Sequence, residues 1–280
     1  MQKLQNNLKI GISALGLIGG SIYKSLKKQG FVKLFAHTNN QKTVEIIKSE
    51  GFFADNEISI LKNCDLIFVC SPISETIRMI KEINKINPSA IIADVASLKA
   101  NILQEIETTT SCKFIGTHPM AGTENSGFGA AFADLFEGAK WVITPSKNVA
   151  EEDVSLLMQI IKCMGADIIS MDANKHDEAV AFISHAPMLI AQALMSSVVD
   201  NKEALALAAS GFRDMTRLSM SNKLMAKDML LLNKNNIELT LKKIIANAQN
   251  LLEQDFFDEN IDKIIDLRKS LYNNEGKNIY

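Results

Sequence analysis

Three groups of residues in the 280-residue chain could do chemistry. The first is the run Ala14-Leu15-Gly16-Leu17-Ile18-Gly19-Gly20-Ser21, which follows the apolar stretch LKIGIS. It matches the dinucleotide-binding turn GxGxxG with alanine in place of the first glycine. Gly16 would let backbone approach a pyrophosphate, and Gly19 would let a helix pack closely on the strand before it. The helix N-terminus behind them offers N–H groups and a favourable dipole to phosphate. The second is His118, which closes the run KFIGTH. It places an imidazole that titrates near neutrality at the carboxyl end of a strand, where open α/β sheets bind ligands. The third is the pair Arg213 and Arg217, spaced i, i+4 on one helical face, whose guanidinium groups suit bidentate carboxylate recognition. Only Arg78, Arg213, Arg217 and Arg268 are arginines among the 30 Lys and Arg residues, so two within five positions stand out. His176 and His185 lie nine residues apart, off the i, i+4 metal spacing, and the four cysteines form no CxxC pair. No metal site is expected.

These residues need a scaffold, and the periodicity supplies one. LKIGIS (8–13), KLFAH, CDLIFVCS (64–71), AIIADVAS (90–97), KFIGTH (113–118), KWVIT (140–144) and ADIISM predict strands. Helical patterns near 19–29, 41–49, 74–86, 98–109 and 151–164 separate most of them. Strands that are apolar throughout, each followed by a helix, predict a doubly wound parallel sheet of Rossmann type. After Asp172 only helical periodicity is seen, so the expected division is 1–171 for the dinucleotide-binding domain and 172–280 for an all-helical one. Asp172 and Asp258 sit where helix N-caps belong, and Ser97 is placed to cap a helix over 98–107. The tail after Tyr272, NNEGKNIY, is polar and expected to fray.

A net charge of −2 shows no basic excess and argues against a nucleic-acid partner. Thiols within apolar runs suit a reducing compartment, and no signal-peptide pattern precedes the first strand. The apolar segment 179–199 contains Ser184, His185, Pro187 and Gln192, which points to a helix buried against protein, not lipid. A cytoplasmic protein without a membrane span is the expectation. The second strand ends Ala36-His37-Thr38-Asn39-Asn40 without the carboxylate that would hold an adenosine ribose, and Lys42 is the nearest cation. NAD and NADP both remain open.

The strings GLIGGS (16–21), DVAS (94–97), HPMAGTE (118–124), HDEAVAFISHAP (176–187) and GFRDMTR (211–217) together resemble the prephenate/arogenate dehydrogenase family over nearly the whole chain. The resemblance implies oxidative decarboxylation of prephenate or arogenate on the route to tyrosine, with hydride transfer to NAD or NADP. It implies that His118 accepts the hydrogen bond of the substrate hydroxyl, with Ser97 bonded to both. It further implies that Glu124 orients the substrate side chain, that Arg217 clamps a carboxylate and that Arg213 with Asp214 supports it. His185 matches the first histidine of the family's SH-x-P-H string, and Met188 stands where the second would be. The expected cofactor contacts are Gly16, Leu17, Ile18, Gly19 and Thr38, with Ser71 and Pro72. The helical domain would dimerise. Two alternatives stand beside this reading: a catalytically degenerate nucleotide-binding homologue, and another Rossmann-plus-helical reductase such as a β-hydroxyacid dehydrogenase.

Overall fold

The computed structural model of the protein describes residues 2–123 and 125–272. Eight strands form one sheet: β1 (Ile10–Ser13), β2 (Leu34–His37), β3 (Phe53–Asp55), β4 (Leu66–Val69), β5 (Ile91–Asp94), β6 (Lys113–Pro119), β7 (Lys140–Pro145) and β8 (Asp167–Ser170). Their order is β3-β2-β1-β4-β5-β6-β7-β8. The first six run parallel, and β1, β4 and β5 are buried at every position, as continuous apolar runs require. The connections leave β1 and β4 in opposite directions, so the crevice at their carboxyl ends is the switch point of the sheet.

The sheet is not parallel throughout. β7 pairs antiparallel with β6, Ile115 opposite Pro145 and Pro119 opposite Trp141, and β8 then runs parallel to β7. The reason is the connection. The chain leaves β6 through a loop and a short 3-10 turn, Phe128–Ala130, with no crossover helix, and so returns beside β6 in reverse. Helix α6 (Glu151–Cys163, counting the helices below in chain order) then makes an ordinary crossover to β8.

The helices of this half are α1 (Gln2–Asn7), α2 (Leu17–Lys28), α3 (Gln41–Ser49), α4 (Ile73–Ile86), α5 (Ala100–Thr109) and α6. Neither α1 nor β3 stood out in the sequence: α1 is six residues of which only Leu4 is apolar, and β3 is three residues with Phe53 exposed. Then follow α7 (Ala173–Val180), α8 (Ala186–Ser197), α9 (Lys202–Ala206), α10 (Ser210–Thr216), α11 (Lys223–Leu232), α12 (Lys234–Asn250) and α13 (Gln254–Tyr272). Asp172 does cap α7, accepting from Asn174 N at 2.9 Å and Lys175 N at 3.1 Å. Asp258 caps nothing, because α13 begins at Gln254 and runs through it. One wide π turn, Ala181–His185, joins α7 to α8, immediately before Pro187 removes a backbone donor. The continuous helix Ala173–Ser197 is long and apolar enough to cross a membrane by length and composition. Its first two turns nevertheless carry His176 and Asp177, both buried and hydrogen-bonded to protein.

The chain packs as two compact units. One runs to Val180 and takes in Met220–Leu232; the other consists of Ala181–Ser219 and, among the described residues, 233–272. In the second, α13 has no buried residue and exposes Phe256, Phe257, Ile264, Ile265, Leu267 and Leu271.

Ala14 has φ +67°, the one positive φ outside glycine among the described residues. An L-residue in that region costs about 1–2 kcal/mol, and glycine returns part of the gain through its freer unfolded chain. Ala14→Gly should therefore stabilise the protein by about 0.5–1 kcal/mol, read as a raised thermal midpoint. A lowered midpoint would mean that the methyl group packs usefully.

Candidate active site

At the exit of β1, Ala14 N donates to His37 O at 2.9 Å and the chain turns left-handed into α2. Gly19 is packed hard: a Cβ there would lie 2.3 Å from Ala14 O. Gly16, at the N-cap, is the opposite case, since a Cβ would meet nothing within 4 Å. No side chain caps the N-terminus of α2, where Leu17 and Ile18 form the first turn. An open approach to uncapped N–H groups at the sheet's switch point fits the pyrophosphate of a dinucleotide.

The end of β2 is neutral. Burial lowers the pKa of the His37 imidazole, whose Nδ1 lies 3.0 Å from Ser13 Oγ. Thr38 is buried, donates its N–H to Asp55 O at 3.2 Å, and accepts from Asn40 N through Oγ1 at 3.3 Å. Its side chain holds the loop, and Asn39 beside it is exposed. Beside β1, Cys70 N donates to Ser13 O at 2.8 Å, bringing the exit of β4 against that of β1. Ser71 is buried with Oγ 3.4 Å from Thr76 Oγ1, and Pro72 is the N-cap that precedes α4. Asp228 on α11 accepts from Ser74 N at 3.1 Å, which steadies the start of α4.

The exits of β5 and β6 are joined by a buried ion pair. Lys99 Nζ donates to Asp94 Oδ2 and, at 2.7 Å, to Thr117 O, and neither charged side chain is exposed. Asp94 also accepts from Ala96 N at 3.0 Å and Thr117 N at 2.9 Å. Burial pushes the Asp94 carboxyl up and the Lys99 ammonium down, while their mutual attraction opposes both shifts. The pair pins the bend 95–99 against the strand that carries His118. Ser97 sits in that bend, and its Oγ is buried with no hydrogen-bond partner among the described residues. A buried hydroxyl in that state is poised for a ligand.

Ser97 is not the N-cap of α5. The helix starts at Ala100, and Asp177 caps it from a distance: Lys99 N donates to Oδ1 at 2.8 Å and Ala100 N to Oδ2 at 2.9 Å. Nor does Ser97 bond His118. The imidazole of half-buried His118 meets a second histidine, with Nδ1 2.9 Å from His176 Nε2 and the rings edge to face. His176 Nδ1 in turn lies 2.7 Å from Asp177 Oδ1. His176, Asp177, Asp94 and Lys99 were not singled out as site residues in the sequence. Their partners lie up to 78 positions away, so no local spacing shows the contacts.

Arg213, Arg217 and His185 are in the second unit. Arg213 is exposed and donates through Nε to Asp214 Oδ1 at 3.2 Å. Arg217 is exposed at the start of the 3-10 turn that follows α10. His185 is fully buried, with Nδ1 3.1 Å from Asn233 Nδ2. Met188 is likewise buried, at 2% exposure. Glu124 lies outside the described residues, as does the tail after Tyr272.

Comparison with known proteins agrees with this geometry. Residues 22–170 match the model of the prephenate dehydrogenase nucleotide-binding domain, and residues 172–270 match that of the prephenate dehydrogenase dimerization domain. The chain belongs to the prephenate dehydrogenase family. It is 34% identical over 248 residues to a prephenate dehydrogenase of Lactococcus lactis, covering 84% of this chain and 67% of that one. It is 32% identical over 238 residues to the Bacillus subtilis prephenate dehydrogenase, covering 81% of this chain and 64% of that protein. The match thus spans about two thirds of those relatives. The crystal structure of Synechocystis arogenate dehydrogenase superposes with a TM-score of 0.78 at 29% identity, covering 94% of this chain and 97% of that one.

Removing one partner of a buried ion pair strands the other charge, at a cost of about 3–5 kcal/mol. Lys99→Met should lower stability by that amount in urea unfolding, and Asp94→Asn combined with Lys99→Met should cost less than the two changes summed. A loss below about 1 kcal/mol for Lys99→Met would show that Asp94 is held by its backbone donors alone.

Proposed function

We propose that this chain oxidatively decarboxylates prephenate or arogenate on the route to tyrosine, with NAD or NADP as the hydride acceptor. The observation that carries the proposal is His118 at the carboxyl end of β6, with its Nδ1 engaged by His176, on the strand next to the exit that carries the unpartnered Ser97 hydroxyl. Family membership supplies the substrate class. The alternative of another Rossmann-plus-helical reductase leaves the HPMAG string unexplained, and a degenerate homologue would have no need of the His118 framework.

When bound at the β1 turn, the dinucleotide supplies a nicotinamide that accepts a hydride. The remaining steps fall to the chain's own residues. The substrate hydroxyl gives its proton to His118 Nε2 as the carbon bearing it loses hydride. The bond to the ring carboxylate then breaks, its electron pair enters the ring, and CO2 departs. Aromatisation drives the reaction, so the protein's task is positioning and one proton transfer. Ser97 Oγ is a donor for the same hydroxyl oxygen. Arg217, with Arg213 in support, is the proposed carboxylate anchor, and Glu124 the proposed orienting acid. Gly16, Leu17, Ile18, Gly19, Thr38, Ser71 and Pro72 frame the dinucleotide, Thr38 by shaping its loop.

Residues 1–171 would then hold the cofactor, and 172–280 would form the helical half and the contact of a homodimer. The unburied apolar residues of α13 support the dimer. The same reading places the enzyme in the cytoplasm, with a small-molecule substrate and neither nucleic acid nor membrane as partner.

Steady-state kinetics with both substrates and both cofactors test the proposal. His118→Asn should lower kcat by about a hundredfold or more while dinucleotide affinity by fluorescence titration stays unchanged. An unaltered kcat would remove His118 from the reaction. Arg217→Ala should raise KM far more than it lowers kcat, the signature of a contact made equally in ground and transition states. An unchanged KM would move the anchor elsewhere.

A further inference from the structure

Resting on that reading, we infer that His176 is a positioning residue that sets the tautomer of His118 and thereby makes Nε2 the basic nitrogen.

The proton assignment follows from three contacts. Asp177 is an acceptor: it takes hydrogen bonds from Lys99 N and Ala100 N, and His176 Nδ1 stands 2.7 Å from its Oδ1. His176 must therefore carry a proton on Nδ1. In the neutral ring Nε2 then bears the lone pair, and the group facing it at 2.9 Å is His118 Nδ1. His118 must donate there, so its own proton sits on Nδ1 and its lone pair on Nε2. That nitrogen can take a proton from a substrate hydroxyl. Once it has done so, the imidazolium still donates from Nδ1 to His176, and no partner has to move.

The opposite arrangement needs His176 as a cation. It would then donate to His118 Nδ1, the His118 proton would shift to Nε2, and the base would be lost. Two features oppose it. The Asp177 charge is already shared with two N–H groups and the positive end of α5. The Lys99 ammonium, close enough to interact with Asp177, is a cation beside the same carboxylate.

Protein labelled with 15N in histidine, with His118 identified by the signals lost in His118→Asn, reads the tautomer directly. The wild type should show His118 protonated at Nδ1 and unprotonated at Nε2. His176→Leu, which offers no acceptor, should populate both tautomers and lower kcat by about tenfold or more, with KM and dinucleotide affinity little changed. His176→Gln, whose Oε1 can accept from His118 Nδ1, should restore most of the rate. A wild-type His118 protonated at Nε2 would overturn the inference, whether or not the variants fold. So would a folded His176→Leu protein with unaltered tautomer and kcat. If the wild type turns over neither substrate, the proposed function fails, while the tautomer measurement still decides the role of His176.

Discussion

The Asp94–Lys99 ion pair is the constraint on which the catalytic end of the sheet depends. Two charges with no exposed surface are costly to bury, and an apolar pair of similar volume would often be as stable. What the ion pair adds is direction. Through Asp94 it holds the backbone of Thr117, next to His118, and through Lys99 it holds the carbonyl of the same residue. The backbone of Lys99 then donates to Asp177, Asp177 faces His176, and His176 meets His118. The circuit closes on itself, from Asp94 through Lys99, Asp177, His176 and His118 back to Thr117. An imidazole mounted on such a ring has little freedom to rotate, and Ser97 rides on the bend that the ring encloses.

The cofactor end follows a different logic. Gly19 is needed because backbone lies where a side chain would go, whereas the space over Gly16 is open. Ala14 shows that the turn keeps its left-handed backbone even without the first glycine of the motif. Strain held at a turn that faces a ligand is consistent with a geometry fixed by binding more than by stability. The end of β2 offers no carboxylate: Thr38 Oγ1 accepts from Asn40 N, and Asn40 Oδ1 caps α3 by accepting from Thr43 N.

Much of this was legible in the sequence. Apolar runs of strand length marked every strand but β3, and the glycine spacing marked the turn at β1. The reversal at β7 was hidden because an apolar strand looks the same in either direction. Only the missing helix between residues 120 and 139 signals it. Ser97 was assigned a capping role that falls to Asp177, since a carboxylate distant in sequence can replace a local cap. His185 was read from a family string as a substrate contact; its buried neighbour Asn233, 48 positions away, is not visible in that string. Met188 is buried too, so a histidine introduced there would need a partner of its own. The histidine pair was the least legible feature, because it depends on α7 returning to the end of β6.

The central claim is that this framework carries out a coupled hydride transfer and decarboxylation. A single-turnover experiment with saturating dinucleotide, counting reduced nicotinamide and released CO2 from the same sample, tests it most directly. With prephenate or with arogenate the account predicts equal amounts of the two products. Reduced nicotinamide without CO2, or neither product from either compound, would contradict it.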